Sequence, residues 1–319
     1  MKMVDMNLFS YTYHLVKQIP NGKVSTYGAI AEALGDKRAA RAVGYMMKNN
    51  PNPDRVPCYK IIYSDGKIGN YSCGGIKEKR KKLREDGIKL DNSKRVDLEK
   101  YLFKDFKTSY PLKKLREEQI ELRKKVKIRS FFDELKKIIG IDVGYQKNPF
   151  KKAVVCCVVI NYNSGEIAEK NFLFKKSLFP YIPTYLSYRE YPLIKDVIKN
   201  IDCSNSVFMI DGNGILHPFS LGLASHVGVK MDIPTIGIAK SLLWGNIKKD
   251  YVFYEGKKIG YRHFTSATLK NPVYVSVGHK VNLDQSIKIT KKFSKFRIPE
   301  PVRQAHISAQ KKVKSLESS

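Results

Sequence analysis

The feature that most constrains this chain is a change of hydrophobic period part of the way along it. Up to about residue 90 the apolar residues recur at helical spacing between Gly, Pro and Asn turns. From Lys137 onward they come in short runs and alternations of the kind that form strands. Each pattern needs its own packed layer, and 319 residues is the length of about two domains. Between the patterns lies a stretch dense in Lys, Arg and Glu, and Phe103 to Pro111 breaks the periodicity. The boundary is therefore expected near 100–110, with a first domain over 1–105 and a second over 106–319.

In the first part, Leu8 to Ile19 predicts a helix stopped by Pro20, and Asn21-Gly22 a turn. Ser25 is placed to cap a helix over Tyr27 to Leu34, and Arg38 to Met47 reads as another, ended by the Asn/Pro run to Pro53. This short-helix, turn, small-residue-helix order is of the helix-turn-helix kind. Leu112 to Phe132 predicts an exposed helix of mixed charge. Beyond it, Ile138 to Val143, Ala153 to Asn161 and Ile167 to Phe174 predict strands, the last two a hairpin closed by Asn163-Ser164-Gly165. Val207 to Ile210 is a further strand, with helices expected over Pro192 to Ile201 and Leu221 to Met231. A hairpin followed by strand–helix alternation implies an α/β domain with mixed strand directions.

Lys and Arg number 59 against 30 Asp and Glu, a net charge of +29 spread along the chain. That excess points to a polyanion, most simply nucleic acid, with a lysine-rich composition bias as the alternative. The longest apolar run, Ala153 to Ile160, is too short to cross a bilayer, and Met1 to Ser10 lacks the apolar block of a secretory signal. Five cysteines without Cys-x-x-Cys spacing argue against a disulfide framework or a zinc finger, so a reduced, cytoplasmic protein is expected.

Pro57 fixes the backbone ahead of Cys58, and Gly66, Gly69, Gly74 and Gly75 permit tight turns around it. With Lys60 and Arg55 near, such a thiol is expected to have a lowered pKa and act as a nucleophile; the other reading is a small buried apolar residue. The order Arg41-Ala-Val-Gly44, Asn50-Pro51, Pro57-Cys58 and Asn70-Tyr-Ser72 closely resembles the C-terminal domain of the O6-alkylguanine-DNA alkyltransferases, from about Phe9 to Leu90. The resemblance implies a small winged-helix-like α domain that binds double-stranded DNA carrying alkylated bases. It makes Cys58 the alkyl acceptor and Arg41 the side chain that fills the gap left by a flipped base. Tyr27 would help rotate the nucleotide, Asn50 would support the loop holding the thiol, and Ser72 would contact the lesion. Asp86 takes the place of the acid that ends the family's proton relay. The family histidine after the cysteine is Tyr59 here, and the next arginine is Lys60. Tyrosine, with an ordinary pKa near 10, is a poor base at neutral pH. A hydroxyl relay through Tyr59, ionisation of Cys58 by its basic surroundings alone, slow transfer, and a non-catalytic lesion-binding module all stay open.

Asp142 ends one apolar strand, Asp211 another, and Glu190 precedes an expected helix. Each alone reads as a solvated loop carboxylate. If the two strands are adjacent, the aspartates converge, and a divalent cation such as Mg²⁺ would relieve their repulsion. The stretches Pro180-Tyr-Ile-Pro183, Tyr188-Arg-Glu190, Asp211-Gly-Asn-Gly214, Ile233 to Ser241 and Pro299 to His306 strongly resemble endonuclease V over roughly 107–319. That implies a ribonuclease H-like mixed-sheet α/β domain that nicks DNA at the second phosphodiester 3′ to deaminated bases, chiefly hypoxanthine, using Mg²⁺ with Mn²⁺ as substitute. Carried over, Asp142 and Asp211 are metal ligands, Glu190 completes the acidic site, Lys240 stabilises phosphate charge and His306 acts beside the metal or attacking water. Tyr181 belongs to a proline-stiffened wedge, and Gly212 and Gly214 leave room for a flipped base. Asn213 replaces a family histidine. His217 and His226 read as structural, Trp244 as core, and Cys156 and Cys157 as inert.

Overall fold

The computed structural model describes residues 6–130, 134–147, 152–199, 201–265 and 271–318. Its contacts separate into two compact units. The first runs to Glu117 and takes in Leu178–Pro183; the second is Glu118–Ser177 with Thr184–Ser319. The division falls within helix α6 (Pro111–Arg123), just past the stretch without regular elements at 103–110. The helix ends short of the expected span, part of which (131–133) lies outside the described residues.

In the first unit, α1 (Leu8–Val16) starts where the Asn7 side chain accepts from Ser10 N at 3.0 Å. Strand β1 (Ser25–Thr26) leads into α2 (Tyr27–Leu34), and Thr26, not Ser25, caps it through Ala29 N. Ser25 is in the strand, its side chain committed to the interior. The helix ends at Gly35, whose φ of +102° and approach to Lys113 N, 2.7 Å from where a Cβ would lie, both require glycine. A 3₁₀ turn, Lys37–Ala39, precedes α3 (Ala40–Lys48). Strand β2 (Ile61–Ile62) pairs parallel with β1, bringing the turn at Cys58 alongside the start of α2. Helices α4 (Gly75–Glu85) and α5 (Leu98–Tyr101) close a core of Val24, Ile62, Ile68, Leu83, Ile88 and Val96.

In the second unit, the described residues form one nine-stranded sheet in the order β5-β4-β3-β6-β7-β11-β10-β9-β8. Its left half is β3 (Lys137–Gly144), β4 (Lys152–Asn161) and β5 (Ile167–Lys176), all antiparallel neighbours. The parallel centre joins β3 to β6 (Ser206–Asp211) and β6 to β7 (Thr235–Ala239). Beyond it an antiparallel extension runs through β8 (Asn246–Lys248), β9 (Tyr251–Tyr254), β10 (Lys257–His263) and β11 (Val273–His279). Residues 154–158 of β4 are fully buried, and each of the valines Val154, Val155 and Val158 is worth about 1.5–3 kcal/mol of apolar transfer. Helices α9 (Leu283–Lys292) and α10 (Glu300–Ser318) share a core with Ile138 of β3.

Helix α7 spans Leu186–Ile198 with Pro192 inside it, so Glu190 is in the helix rather than ahead of it. Proline favours a helix's first turn, which is why the pattern suggested a later start. Helix α8 is Leu223–Met231, preceded by Gly222.

Candidate active sites

In the first unit, Cys58 begins a 3₁₀ turn, is buried, and lines a pocket of about 850 Å³. Tyr27, Arg41 and Ser72, three of the residues singled out in the sequence, line the same pocket, with Asn70 among them. Asn50 stands behind it, its Nδ2 donating to Cys58 Sγ at 3.2 Å and to the Val56 carbonyl at 3.0 Å. One amide thus holds both the loop and the sulfur.

The expected lowering of the thiol pKa is not found. Burial pushes it up, and the Asn50 hydrogen bond and the charge of Lys79 only partly oppose this. The reason lies in where the neighbouring cation goes. Lys60 turns away and is buried against the Pro20 carbonyl at 3.0 Å, Asn21 Oδ1 at 3.2 Å and Asp86 Oδ2 at 3.0 Å. Asp86 is therefore the partner of a buried lysine. Tyr59 also has a raised pKa, from burial and the charges of Asp86 and Glu85. The cation that faces the thiol electrostatically is one the sequence reading passed over. Lys79 of α4 is buried, donates to the Ile61 carbonyl at 2.6 Å, and is lowered by burial to about 8. Nothing in a lysine-rich run marks one lysine as buried.

In the second unit, Ile141 of β3 pairs with Ile210 of the parallel strand β6, so Asp142 and Asp211 come out side by side. Helix α10 supplies the third member: His306 Nδ1 lies 2.9 Å from Asp142 Oδ2. One ligand atom from each of Asp142, Asp211 and His306 lies within 4.8 Å of the others. Period-2 alternation puts Gly140, Asp142 and Gly144 on one face of β3. A Cβ on Gly140 would overlap the Pro301 carbonyl, and one on Gly144 would stand 2.9 Å from Val313 Cγ2. The two glycines let α10 lie close enough for its histidine to reach the aspartate.

Burial pushes the Asp142 carboxyl up, but the hydrogen bond and charge of His306 and the charge of Lys240 outweigh it, and it ends below the usual range. Asp211 is pushed the other way by burial and by Asp142, despite Lys240 Nζ at 2.6 Å from its Oδ2. His306 is raised by its bond to Asp142. Glu190, buried and accepting from Tyr145 Oη at 3.3 Å, is raised to about 8 by burial and the charge of Asp142. Arg189 stacks on the Tyr145 ring at 3.8 Å and bears on the same carboxyl. Arg297 was also missed: it donates to the Lys240 carbonyl at 3.0 Å and to Asn271 at 3.1 Å, anchoring the loop that carries Lys240. Two carboxylates converging with an imidazole are a donor set that fits a divalent cation, which would relieve the repulsion that Lys240 and His306 leave partly standing at Asp211.

Other expectations resolve plainly. A Cβ on Gly214 would overlap the Val277 carbonyl, and one on Gly212 would stand 3.2 Å from Leu223 Cβ, so both positions pack tightly against their neighbours on the Cβ side. His226 is sealed between Tyr188 and Tyr191 and held neutral, burial lowering it to about 3. His217 Nδ1 accepts from Phe219 N at 3.2 Å. Burial raises Cys156 to about 11 and also pushes Cys157 well above the ordinary thiol range. Trp244 is half-buried and packs against Tyr254 with ring centres 5.3 Å apart. Tyr181 is exposed and its segment clusters with the first unit, where Leu8 N donates to the Leu178 carbonyl at 3.0 Å.

The profile of the family described as Endonuclease V matches residues 120–307. The profile described as the 6-O-methylguanine DNA methyltransferase DNA binding domain matches residues 7–88. The chain belongs to the endonuclease V family and, within it, to the bifunctional methyltransferase/endonuclease enzymes, which join that ribonuclease H-like domain to an alkyltransferase-type domain. A bifunctional methyltransferase/endonuclease of Picrophilus torridus is 44% identical over 304 residues, 95% of this chain and 96% of that one. A protein of the same description from Thermoplasma volcanium is 38% identical over 303 residues, 95% of this chain and 89% of its own length. Among solved structures, Ciona intestinalis endonuclease V in complex with a 24mer DNA containing an inosine followed by a ribo-adenosine superposes with a TM-score of 0.58 at 29% identity, covering 64% of this chain and 98% of that one. No helix among the described residues is long and apolar enough to cross a membrane.

Proposed function

We propose that this chain repairs two kinds of damage in double-stranded DNA, acting in the reducing cytoplasm. Residues 1–105 move the alkyl group of O6-alkylguanine to Cys58 in a single turnover. Residues 106–319 nick the strand at the second phosphodiester 3′ to a deaminated base, chiefly hypoxanthine, with Mg²⁺ and with Mn²⁺ as substitute.

The observation that carries the nuclease reading is the convergence of Asp142, Asp211 and His306 within 4.8 Å. Asp142 and Asp211 would hold the cation, and His306 would stand beside it or the attacking water. A bound cation supplies Lewis acidity and a water more easily ionised. Lys240 faces the charge that builds on the phosphate. Glu190, raised to about 8, exchanges a proton near neutral pH. Tyr181, exposed within its proline-flanked loop, acts as a wedge between bases.

For alkyl transfer the supporting observation is a pocket that places Cys58 together with Tyr27, Arg41 and Ser72. Arg41 fills the space of the extruded nucleotide, Tyr27 turns it, Ser72 meets the lesion and Asn50 fixes the thiol. Asp86 contributes by fixing Lys60 and the turn after Cys58. The raised thiol pKa supports a second reading, a lesion-binding module tethered to an active nuclease.

Two assays test these readings. A deoxyinosine duplex is nicked with Mg²⁺ and left intact with EDTA or in Asp142→Ala; cutting that survives the substitution overturns the metal assignment. Labelled O6-methylguanine DNA labels the protein but not Cys58→Ala; absence of label with retained lesion binding leaves the module reading.

A further inference from the structure

The pocket at Cys58 has a wall that the roles above do not use. Tyr63 follows β2 at the start of a tight turn, in which Tyr63 N donates to the Lys67 carbonyl at 2.9 Å and Gly66 N to the Tyr63 carbonyl at 3.1 Å. Its side chain is half exposed and lines the pocket beside Cys58. Two contacts fix the ring. Tyr27 packs against it with centres 5.4 Å apart and planes at 51°. Gly69 lies beneath it at φ +67°, and a Cβ there would stand 2.7 Å from Tyr63 Cε2. The ring is therefore held in place along the pocket wall, with about half of the side chain still open to water. Such a surface gains most when a flat partner covers it.

The pocket measures about 850 Å³ with the Tyr63 ring already in place. That is the size of sites that enclose a whole drug-sized ligand, and a methyl adduct adds almost nothing to the guanine that carries it. Tyr63 is thus a contact surface rather than a plug, and the space it borders exceeds what a methylated base needs. We propose that Tyr63 is a specificity-determining residue for alkyl transfer, stacking on bulky aromatic adducts carried on guanine O6 and favouring their removal. This rests on the alkyl-transfer reading of Cys58. In the step itself the Cys58 sulfur forms a bond to the benzylic carbon and the carbon–O6 bond breaks. Its electron pair leaves with guanine, which is restored by taking up one proton for the proton the thiol has lost.

The test measures alkylation of Cys58 in the full chain on two duplexes that differ only in carrying O6-benzylguanine or O6-methylguanine. Stacking of one ring on an aromatic side chain corresponds to about tenfold or more in rate or affinity. Tyr63→Ala is expected to lower the benzyl-to-methyl rate ratio by about that factor. Tyr63→Phe should keep the ratio, and Tyr63→Leu, which keeps bulk without a π face, should lose most of it. A ratio unchanged in Tyr63→Ala and Tyr63→Leu, or one that rises, overturns the proposal while leaving alkyl transfer intact. Failure of wild type to take up either adduct overturns the alkyl-transfer reading and the proposal with it.

Discussion

Gly140 of β3 lies so close to Pro301 of α10 that a side chain on it would overlap the Pro301 carbonyl oxygen. That contact sets the height of α10 above the sheet, and so the reach of His306 to Asp142. Gly140→Ala should therefore act on the site through the helix. Overpacking of this kind costs about 1–3 kcal/mol. We expect a lower melting temperature together with a larger loss in nicking, restored in part by raising Mg²⁺. Calorimetry and a deoxyinosine nicking assay check it; wild-type nicking in a folded Gly140→Ala protein would remove the link between strand packing and metal site.

The same contact marks how far the sequence could be read. Acidic residues at the ends of two apolar strands made the meeting of Asp142 and Asp211 a condition on strand adjacency, and the resemblance to endonuclease V supplied the assignment; the parallel pairing of β3 with β6 meets that condition. The late motif gave His306 a role near the metal, but only the structure shows that two glycines on one strand face let its helix descend. In the first unit, the pocket residues Tyr27, Arg41 and Ser72 were legible only through the resemblance to the alkyltransferases, whose motifs recur here in the same order. The direction of Lys60 was not: two cations near a cysteine in sequence say nothing of which way a buried turn points them. Lys79 was hidden for the converse reason, a single buried ammonium within a run whose other lysines are solvated. Pro192 misplaced the start of α7 because proline, favoured at a helix's first position, here lies inside the helix.

Glu190 makes the metal-free protein pH-sensitive. Its carboxyl is raised from an ordinary 4.5 to about 8. Between those values the folded chain keeps a proton that the unfolded chain has lost. Its contribution is thus fully present below about pH 4.5 and is lost as pH rises through about 8. In EDTA, the melting temperature of Glu190→Gln should fall less than that of wild type from pH 5 to pH 8. Mg²⁺ should stabilise wild type more at pH 8 than at pH 5, because it meets a charge that has just appeared. Equal stabilisation at both values would argue that Glu190 stays ionised without the cation.

Lys60 and Asp86 form an ion pair whose side chains are both nearly inaccessible to water. Removing one member of such a pair costs about 3–5 kcal/mol, whereas replacing both by apolar groups costs far less. Asp86→Asn should lower the denaturation midpoint markedly, and Asp86→Leu combined with Lys60→Met should recover much of it. Alkyl transfer measured well below the melting temperature separates structure from chemistry. A rate that drops in a fully folded Asp86→Asn protein would return Asp86 to a proton relay.

Cys58 must ionise before it can attack carbon, and its burial opposes that. The transfer rate is therefore expected to climb with pH through the range where an exposed thiol has already ionised, with a midpoint above it. Two groups hold the midpoint down: Asn50, donating at 3.2 Å, and the charge of Lys79. Lys79 itself gives up its proton near 8, so its help fades just where the thiol begins to ionise. The wild-type profile should accordingly rise less steeply above pH 8 than below it. Lys79→Met removes the charge at every pH, moving the midpoint up, steepening the upper limb and slowing transfer at pH 7 by roughly tenfold for each unit of displacement. Lys79→Arg should keep the charge above pH 8 and straighten the profile without the loss at pH 7. Rates measured from pH 6 to pH 10 on an O6-methylguanine duplex decide the matter. A flat profile, or one that Lys79→Met leaves unchanged, would mean that the thiol is ionised by some other group.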